Sequence, residues 1–273
     1  MPSAGAFIAV LLAPVILLTG CSSVPKTFNP EVPIAAKDFS HRAFEEILLV
    51  HVADGVVNYP AVAVDSRFEK YLWHLDRLDP TRLPTREDRL AFWINAYNAF
   101  AIKGILDGYS PLTKWGQYRY FISRDYRVGG QRINLYDLER KLLIPDFQEP
   151  RIHFAIVCAS MSCPKLQSWV YTADKLEAQL EQRARDYIND PTRNRFDRER
   201  RIAYLSMIFK WFEGDFVAHS GSLINYVKRY IADPELAKEL GTTPFAVKFL
   251  KYDWRLNGPP PTPPSENPYA GSS

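Results

Sequence analysis

Cys158 and Cys163 flank a Ser-rich turn with four residues between them, and His153 stands five positions before the first. Thiol catalysis needs a thiolate, a His within hydrogen-bond reach, and a group that orients the His. Glu139, Asn95 and Asn98 are the polar side chains whose sequence surroundings suit that third role. The candidate catalytic set is therefore His153, Cys158, Cys163, Glu139, Asn98 and Asn95.

Spacing tests this set. The apolar run Ile152–Val157 reads as a short buried strand with His153 inside it. On an unbroken strand His153 and Cys158 point to opposite faces and stand about 16 Å apart, at roughly 3.3 Å per residue. A dyad then requires a bulge, or Cys163 returned by the turn at residues 159–162. Alternatively, His153 faces Asn98 and Glu139, and the thiols take no part. The cysteines could also be close enough for a disulfide, which needs Cα atoms roughly 4.4–6.8 Å apart. Disulfide, reactive thiol and two inert thiols all remain open. A zinc site from His153, Cys158 and Cys163 lacks a fourth ligand. No nucleophile elbow or phosphate-binding loop occurs, so neither a metal nor a cofactor is expected.

The elements that must position these groups are partly legible. Thr85 can cap a helix whose first turn holds Glu87 and Asp88, and Leu90–Ile102 carries no charge. Such a helix is buried on every side. Asn95 and Asn98 lie three apart on one face of it. They either bracket neighbouring loops or polarise groups in a cleft. Gly129-Gly130 joins two extended runs as a tight hairpin, and Asn134 caps a short helix over 135–143. On a wheel with Leu135 at zero, Glu139 falls at about 40°, inside the arc of Leu138, Leu142 and Leu143. A carboxylate there needs a partner or a raised pKa.

Amphipathic patterns place further helices over 38–55, 68–75 and 176–187, and Val247–Trp254 alternates as a last strand. Arg193–Arg201 reads as a solvated turn. The expected fold is α+β, an antiparallel sheet packed against the buried central helix and several amphipathic helices.

The 273 residues are 47% hydrophobic and 24% charged, with a net charge of +3 from mixed signs, which does not suggest a nucleic-acid binder. Ala6–Leu18 is apolar but shorter than the roughly 20 residues a membrane span needs. With Leu18-Thr19-Gly20-Cys21 it resembles a bacterial lipoprotein signal. That resemblance implies cleavage before Cys21, a lipidated Cys21 holding the chain on a membrane, and, with Ser22 next, an outer-membrane destination facing the periplasm. Disulfides can persist there. The organisation read is a signal peptide at 1–20, a lipid-anchored tether at 21–37, one domain at 38–257, and a Pro-rich tail at 258–273 expected to be disordered.

Six motifs in order resemble the domain of unknown function 547 family: Gly55-Val56-Val57-Asn58-Tyr59, Phe92–Ala99, Leu135–Glu139, His153-Phe154-Ala155, Cys158 with Ser162-Cys163-Pro164, and Tyr252-Asp253-Trp254. The resemblance implies a domain and carries no established reaction. A weaker likeness is to papain-like and transglutaminase-like enzymes, which pair a nucleophile-bearing buried helix with a strand beginning at the catalytic His. Here the helix bears Asn95 and Asn98 in place of Cys. Two functions follow as expectations. One is a thiol hydrolase or acyltransferase acting on amide or thioester bonds of cell-wall or envelope peptides. The other is a non-catalytic envelope protein that binds a protein or glycan through Trp93, Tyr97, Trp211 and Phe212, with a Cys158–Cys163 disulfide.

Overall fold

The structure is a computed structural model that describes residue 25 and residues 27–261. The signal peptide, Cys21, the start of the tether and the tail beyond 261 lie outside the described residues.

The helix Arg86–Leu106 is the axis of the molecule. Thr85 and Asp88 close its N-terminus as a reciprocal capping box, and every residue from Leu90 to Ile102 is buried. Around it pack Arg42–His51, which turns Phe44, Ile47 and Leu48 inward, and Ser66–Arg77, which contributes Phe68, Tyr71 and Leu75. Both are amphipathic at helical spacing, so the apolar stripe read in the sequence is the face they bury.

The α+β class holds, with the strands divided among three small sheets in place of one. β1 (Val52–Ala53) and β2 (Val56–Val57) form one antiparallel pair. β3 (Asp125–Val128) and β4 (Gln131–Asn134) form a second, turned by Gly129 and Gly130 at φ +57° and +76°. Positive φ at both central residues is what a two-residue hairpin demands. β5 (Arg195–Asp197), β6 (Ile202–Leu205) and β7 (Ala246–Phe249) form the third; β5 is antiparallel to β6, and β7 is parallel to it.

Two expectations need correcting. Part of the stretch read as tether lies against the domain: the Asn29 amide bonds to the Gly129 carbonyl and Ile34 bridges to Leu78. The run 152–157 is not a strand. Pro150–Phe154 is a 3-10 helix that continues into irregular backbone. A short apolar run does not distinguish strand from buried helix. Pro150 presets the φ of a first helical turn, and the Glu149 side chain accepts from the Arg151 amide to start it. Among the described residues no helix is long and apolar enough to cross a membrane.

Buried side chains form two clusters. The larger surrounds the central helix. The smaller gathers Phe154, Tyr187, Phe209, Phe216 and Tyr226 beneath Leu176–Asn189 and Glu213–Ser220. The segment 150–157 is the seam, because Ile152, Ala155, Ile156 and Val157 belong to the first cluster and Phe154 to the second.

Candidate active site

Glu139, His153, Cys158 and Cys163 line one cavity of about 320 Å³. Asn95 and Asn98 are not among its walls.

The two asparagines position the site from behind. Asn98 Oδ1 accepts from the Val157 amide at 2.9 Å and Nδ2 donates to the Ala155 carbonyl at 3.1 Å. Asn95 does the same for Tyr171, at 2.9 and 2.8 Å. Each carboxamide replaces the neighbouring strand that would otherwise satisfy an irregular buried backbone. Their place in the candidate catalytic set is corrected accordingly: they are brackets, and Asn98 fixes the backbone immediately before Cys158.

The cysteine loop is held on three further sides. Ala159, at φ +58°, turns the chain sharply. The C-terminal segment then runs along the loop: Met161 donates to the Arg255 carbonyl, Asn257 to the Ala159 carbonyl, and Asp253 to Ser162 Oγ. Arg193 donates to the carbonyls of Met161 and Cys163 while paired with Asp190 at 2.6 Å. This arginine therefore leaves the solvated turn to which its neighbours belong. At Gly55, φ is +82°, and a Cβ there would meet Lys165 Cβ at 2.7 Å, so the β1–β2 turn can approach the chain past Cys163 only with glycine.

Both thiols are free. The disulfide expected in the binding reading is absent from this structure. Cys158 Sγ is 3.1 Å from both Ser160 Oγ and Tyr252 Oη, and it also takes a hydrogen bond from Cys163. Burial pushes the Cys158 thiol up, but these donors outweigh it and hold its pKa below the usual thiol value. Cys163 goes the other way, pushed well up by burial and by the charge on Cys158. Of the two, the Cys158 sulfur is therefore the one whose charged form is favoured, as in a thiol prepared for nucleophilic attack.

Beside it lie a partly buried acid and a buried imidazole. The wheel does not apply to Glu139, because only Leu135–Asp137 is α-helical and Leu138–Leu143 is a π-helix; its side chain is 14% exposed at the cavity wall. Desolvation raises its pKa to about 7, with the Cys158 and Asp215 charges adding to the rise. Arg140 and a hydrogen bond from Tyr97 oppose that rise. His153 Nε2 is 2.8 Å from Asp215 Oδ2. Burial lowers the imidazole pKa, Asp215 resists the fall, and the ring is held between Phe212 and Phe216. A neutral ring bonded to a carboxylate through Nε2 carries its proton there. Nδ1 is then a bare acceptor; it is buried, without a hydrogen-bond partner, and 3.9 Å from Glu139 Oε1.

The strand-based separation of His153 and Cys158 does not apply, since no strand joins them. They share the cavity with Glu139 set near both. Sequence reading missed Asp215, which lies 62 residues after its partner; in sequence Glu213–Phe216 reads only as a break after an apolar run, whereas it is the first turn of the helix Glu213–Ser220. Ser160 was passed over as part of the turn. Tyr252 was visible only as part of a motif, its hydroxyl role being tertiary. Of the aromatic residues read as a cleft, Tyr97, Trp211 and Phe212 line the cavity, whereas Trp93 packs on Phe28 and Phe92 elsewhere. Among the described residues no three of His, Cys, Asp and Glu cluster as a metal ion would require.

No curated protein and no solved structure matches this chain. Residues 80–188, which run from the turn before the central helix through both cysteines to the end of the following amphipathic helix, match the family described as protein of unknown function, DUF547.

Proposed function

We propose that this protein is a thiol hydrolase or acyltransferase acting on amide or thioester bonds, with Cys158 as nucleophile. The observation that carries the reading is the Cys158 sulfur, held by Ser160, Tyr252 and Cys163 in a cavity that also holds Glu139 and the His153–Asp215 pair. The thiolate attacks the acyl carbonyl and forms a carbon–sulfur bond. Protonated Glu139 gives its proton to the departing amine or thiol and becomes a carboxylate. Water or an acceptor then attacks the thioester on Cys158, passes a proton back to Glu139, and releases the thiolate. A carboxyl with a pKa near the working pH suits both steps. His153, whose bare Nδ1 faces Glu139, orients that proton as an acceptor, and Asp215 fixes the ring's tautomer.

The likeness to papain-like enzymes is carried here as a likeness of chemistry. Thiol, buried acid–base groups and a buried helix behind them are present, but the helix brackets the nucleophile's segment and does not bear the nucleophile. The apolar leader ending at Cys21 supports an envelope lipoprotein, anchored through Cys21 on the outer membrane with the domain in the periplasm. Envelope compounds are the substrates such a location offers.

The test is to trap the acyl-enzyme. After brief mixing with an activated acyl thioester and acid quench, the acyl mass is expected on the peptide containing Cys158. It should persist in Cys163→Ser protein and vanish in Cys158→Ser protein. Full turnover by the double Cys→Ser variant would overturn the proposal.

A further inference from the structure

The walls of the cavity also say something about what the thiol is offered. Trp254 is stacked against Trp211 with centroids 5.6 Å apart, and it meets Tyr252 at 4.6 Å and Phe121 at 6.3 Å. These four rings form a continuous wall that ends at the Tyr252 hydroxyl, 3.1 Å from the Cys158 sulfur. The apolar surface does not stop at the mouth. Tyr118 is 46% exposed and Ile122 40% exposed although both line the cavity, and Trp115, 67% exposed, stacks on Tyr118 at 5.3 Å. Side chains of this kind left open to water in one contiguous patch mark a place where an apolar group is received.

The charges are placed at the reacting end and not along the wall. Glu139 and Arg140 are the cavity's acidic and basic side chains, and the Arg140 guanidinium lies over the Phe212 ring at 4.0 Å. A charged or hydroxyl-rich group laid on the wall of Trp254, Trp211 and Phe121 would lose water and gain few partners. A hydrocarbon chain loses nothing there.

We infer that the substrate's acyl group is an apolar chain, lying along the Phe121–Trp254–Trp211 wall with its carbonyl at the Cys158 sulfur and its far end towards Tyr118 and Ile122. This rests on the thiol reading for the reaction, but the binding half of it stands on the cavity alone, and the two are separable by experiment.

The experiment is a chain-length series. Hydrolysis of straight-chain acyl thioesters of one small thiol, from acetyl to dodecanoyl, is followed by release of that thiol from the purified full chain, below the aggregation limit of each substrate. Full burial of a methylene is worth about 0.8 kcal/mol, or roughly fourfold in kcat/KM. A rise of two- to fourfold per added methylene is therefore expected until the cavity is filled. Trp254→Ala should lower the ratio of dodecanoyl to acetyl kcat/KM by tenfold or more. In parallel, the neutral fluorophore N-phenyl-1-naphthylamine is titrated into Cys158→Ser protein and competed with a neutral dodecyl amide. Saturable binding, displaced by the amide and weakened by Trp254→Ala, supports an apolar chain site even if no thioester is turned over, the outcome in which the thiol reading alone fails. A flat or falling chain-length profile, or a fluorophore that neither saturates nor is displaced by the amide, overturns the inference whatever the thiol does. Displacement by a soluble oligosaccharide and not by the amide would also overturn it, in favour of a glycan site.

Discussion

His153 Nε2 lies 2.8 Å from Asp215 Oδ2, and the opposite ring nitrogen faces Glu139 across 3.9 Å with no hydrogen-bond partner. The carboxylate fixes where the imidazole proton sits, so the nitrogen turned to Glu139 is the one that can accept. Asp215→Asn tests this. If the introduced amide presents Nδ2 to the ring, Nε2 must become the acceptor and the proton moves to Nδ1, pointing at Glu139. Turnover is expected to fall by about 10²–10⁴-fold, the scale of loss when a catalytic imidazole is held in the wrong tautomer. Ring nitrogen shifts in an NMR spectrum should report the exchanged tautomer, while thermal stability changes little.

Glu139 makes stability depend on pH in an unusual direction. Its folded pKa is raised from 4.5 to about 7 by burial. Between those values the folded protein binds the proton that the unfolded chain has released, so stability declines as pH rises from about 4.5 to 7. Above that window the full cost is present, about 3 kcal/mol for such a shift. Glu139→Gln should therefore match the parent near pH 4.5 and exceed it by up to about 3 kcal/mol at pH 8, as measured by urea unfolding. The same variant should lose the catalytic limb attributed to the acid.

Cys158 is expected to react with iodoacetamide with a midpoint below the roughly 8.5 of a free thiol, ahead of Cys163. Removing one donor at a time, by Tyr252→Phe or Ser160→Ala, withdraws a hydrogen bond from a charged sulfur. Each such bond is worth about 1.5–3 kcal/mol, so the midpoint should rise by about one to two pH units. Peptide mapping after labelling across pH reads the shift directly. An unchanged midpoint in both variants would show that the hydroxyls do not hold the thiolate.

Asn95 and Asn98 make the same pair of bonds to different segments, which separates stability from activity. Either Asn→Ala change strands a buried amide and a buried carbonyl, and should cost about 2–4 kcal/mol in chemical denaturation. Asn98→Ala should in addition reduce turnover and slow Cys158 alkylation, because the Val157 amide that Asn98 holds immediately precedes the proposed nucleophile. Asn95 holds Tyr171, so Asn95→Ala should leave alkylation at the parental rate.

Much of the scaffold was present in the residue pattern. The uncharged run from Leu90 to Ile102 specified a helix buried all round, and the i, i+3 pair of asparagines specified a polar edge on it. Two glycines specified a hairpin turn with positive φ. These are local signals: periodicity, capping and backbone freedom act over a few residues and can be read there. The strand expected over 152–157 failed for the complementary reason. An apolar run says that a segment is buried, and only its neighbours say how its backbone is satisfied. Here Asn98 does so where a second strand was anticipated.

By itself, then, the sequence determined the central helix, the hairpin and the apolar faces they bury, and it singled out His153, Glu139 and the cysteines as candidates for chemistry. The tertiary structure alone decided their pairing. It set Asp215 against His153 across 62 residues, brought Tyr252 to Cys158 across 94, and turned Arg193 onto the cysteine loop. The physical reason is that a pKa and a nucleophile are made by burial and by donors a few ångströms away. Those neighbours come from parts of the chain whose local pattern records only that they are helix, turn or strand.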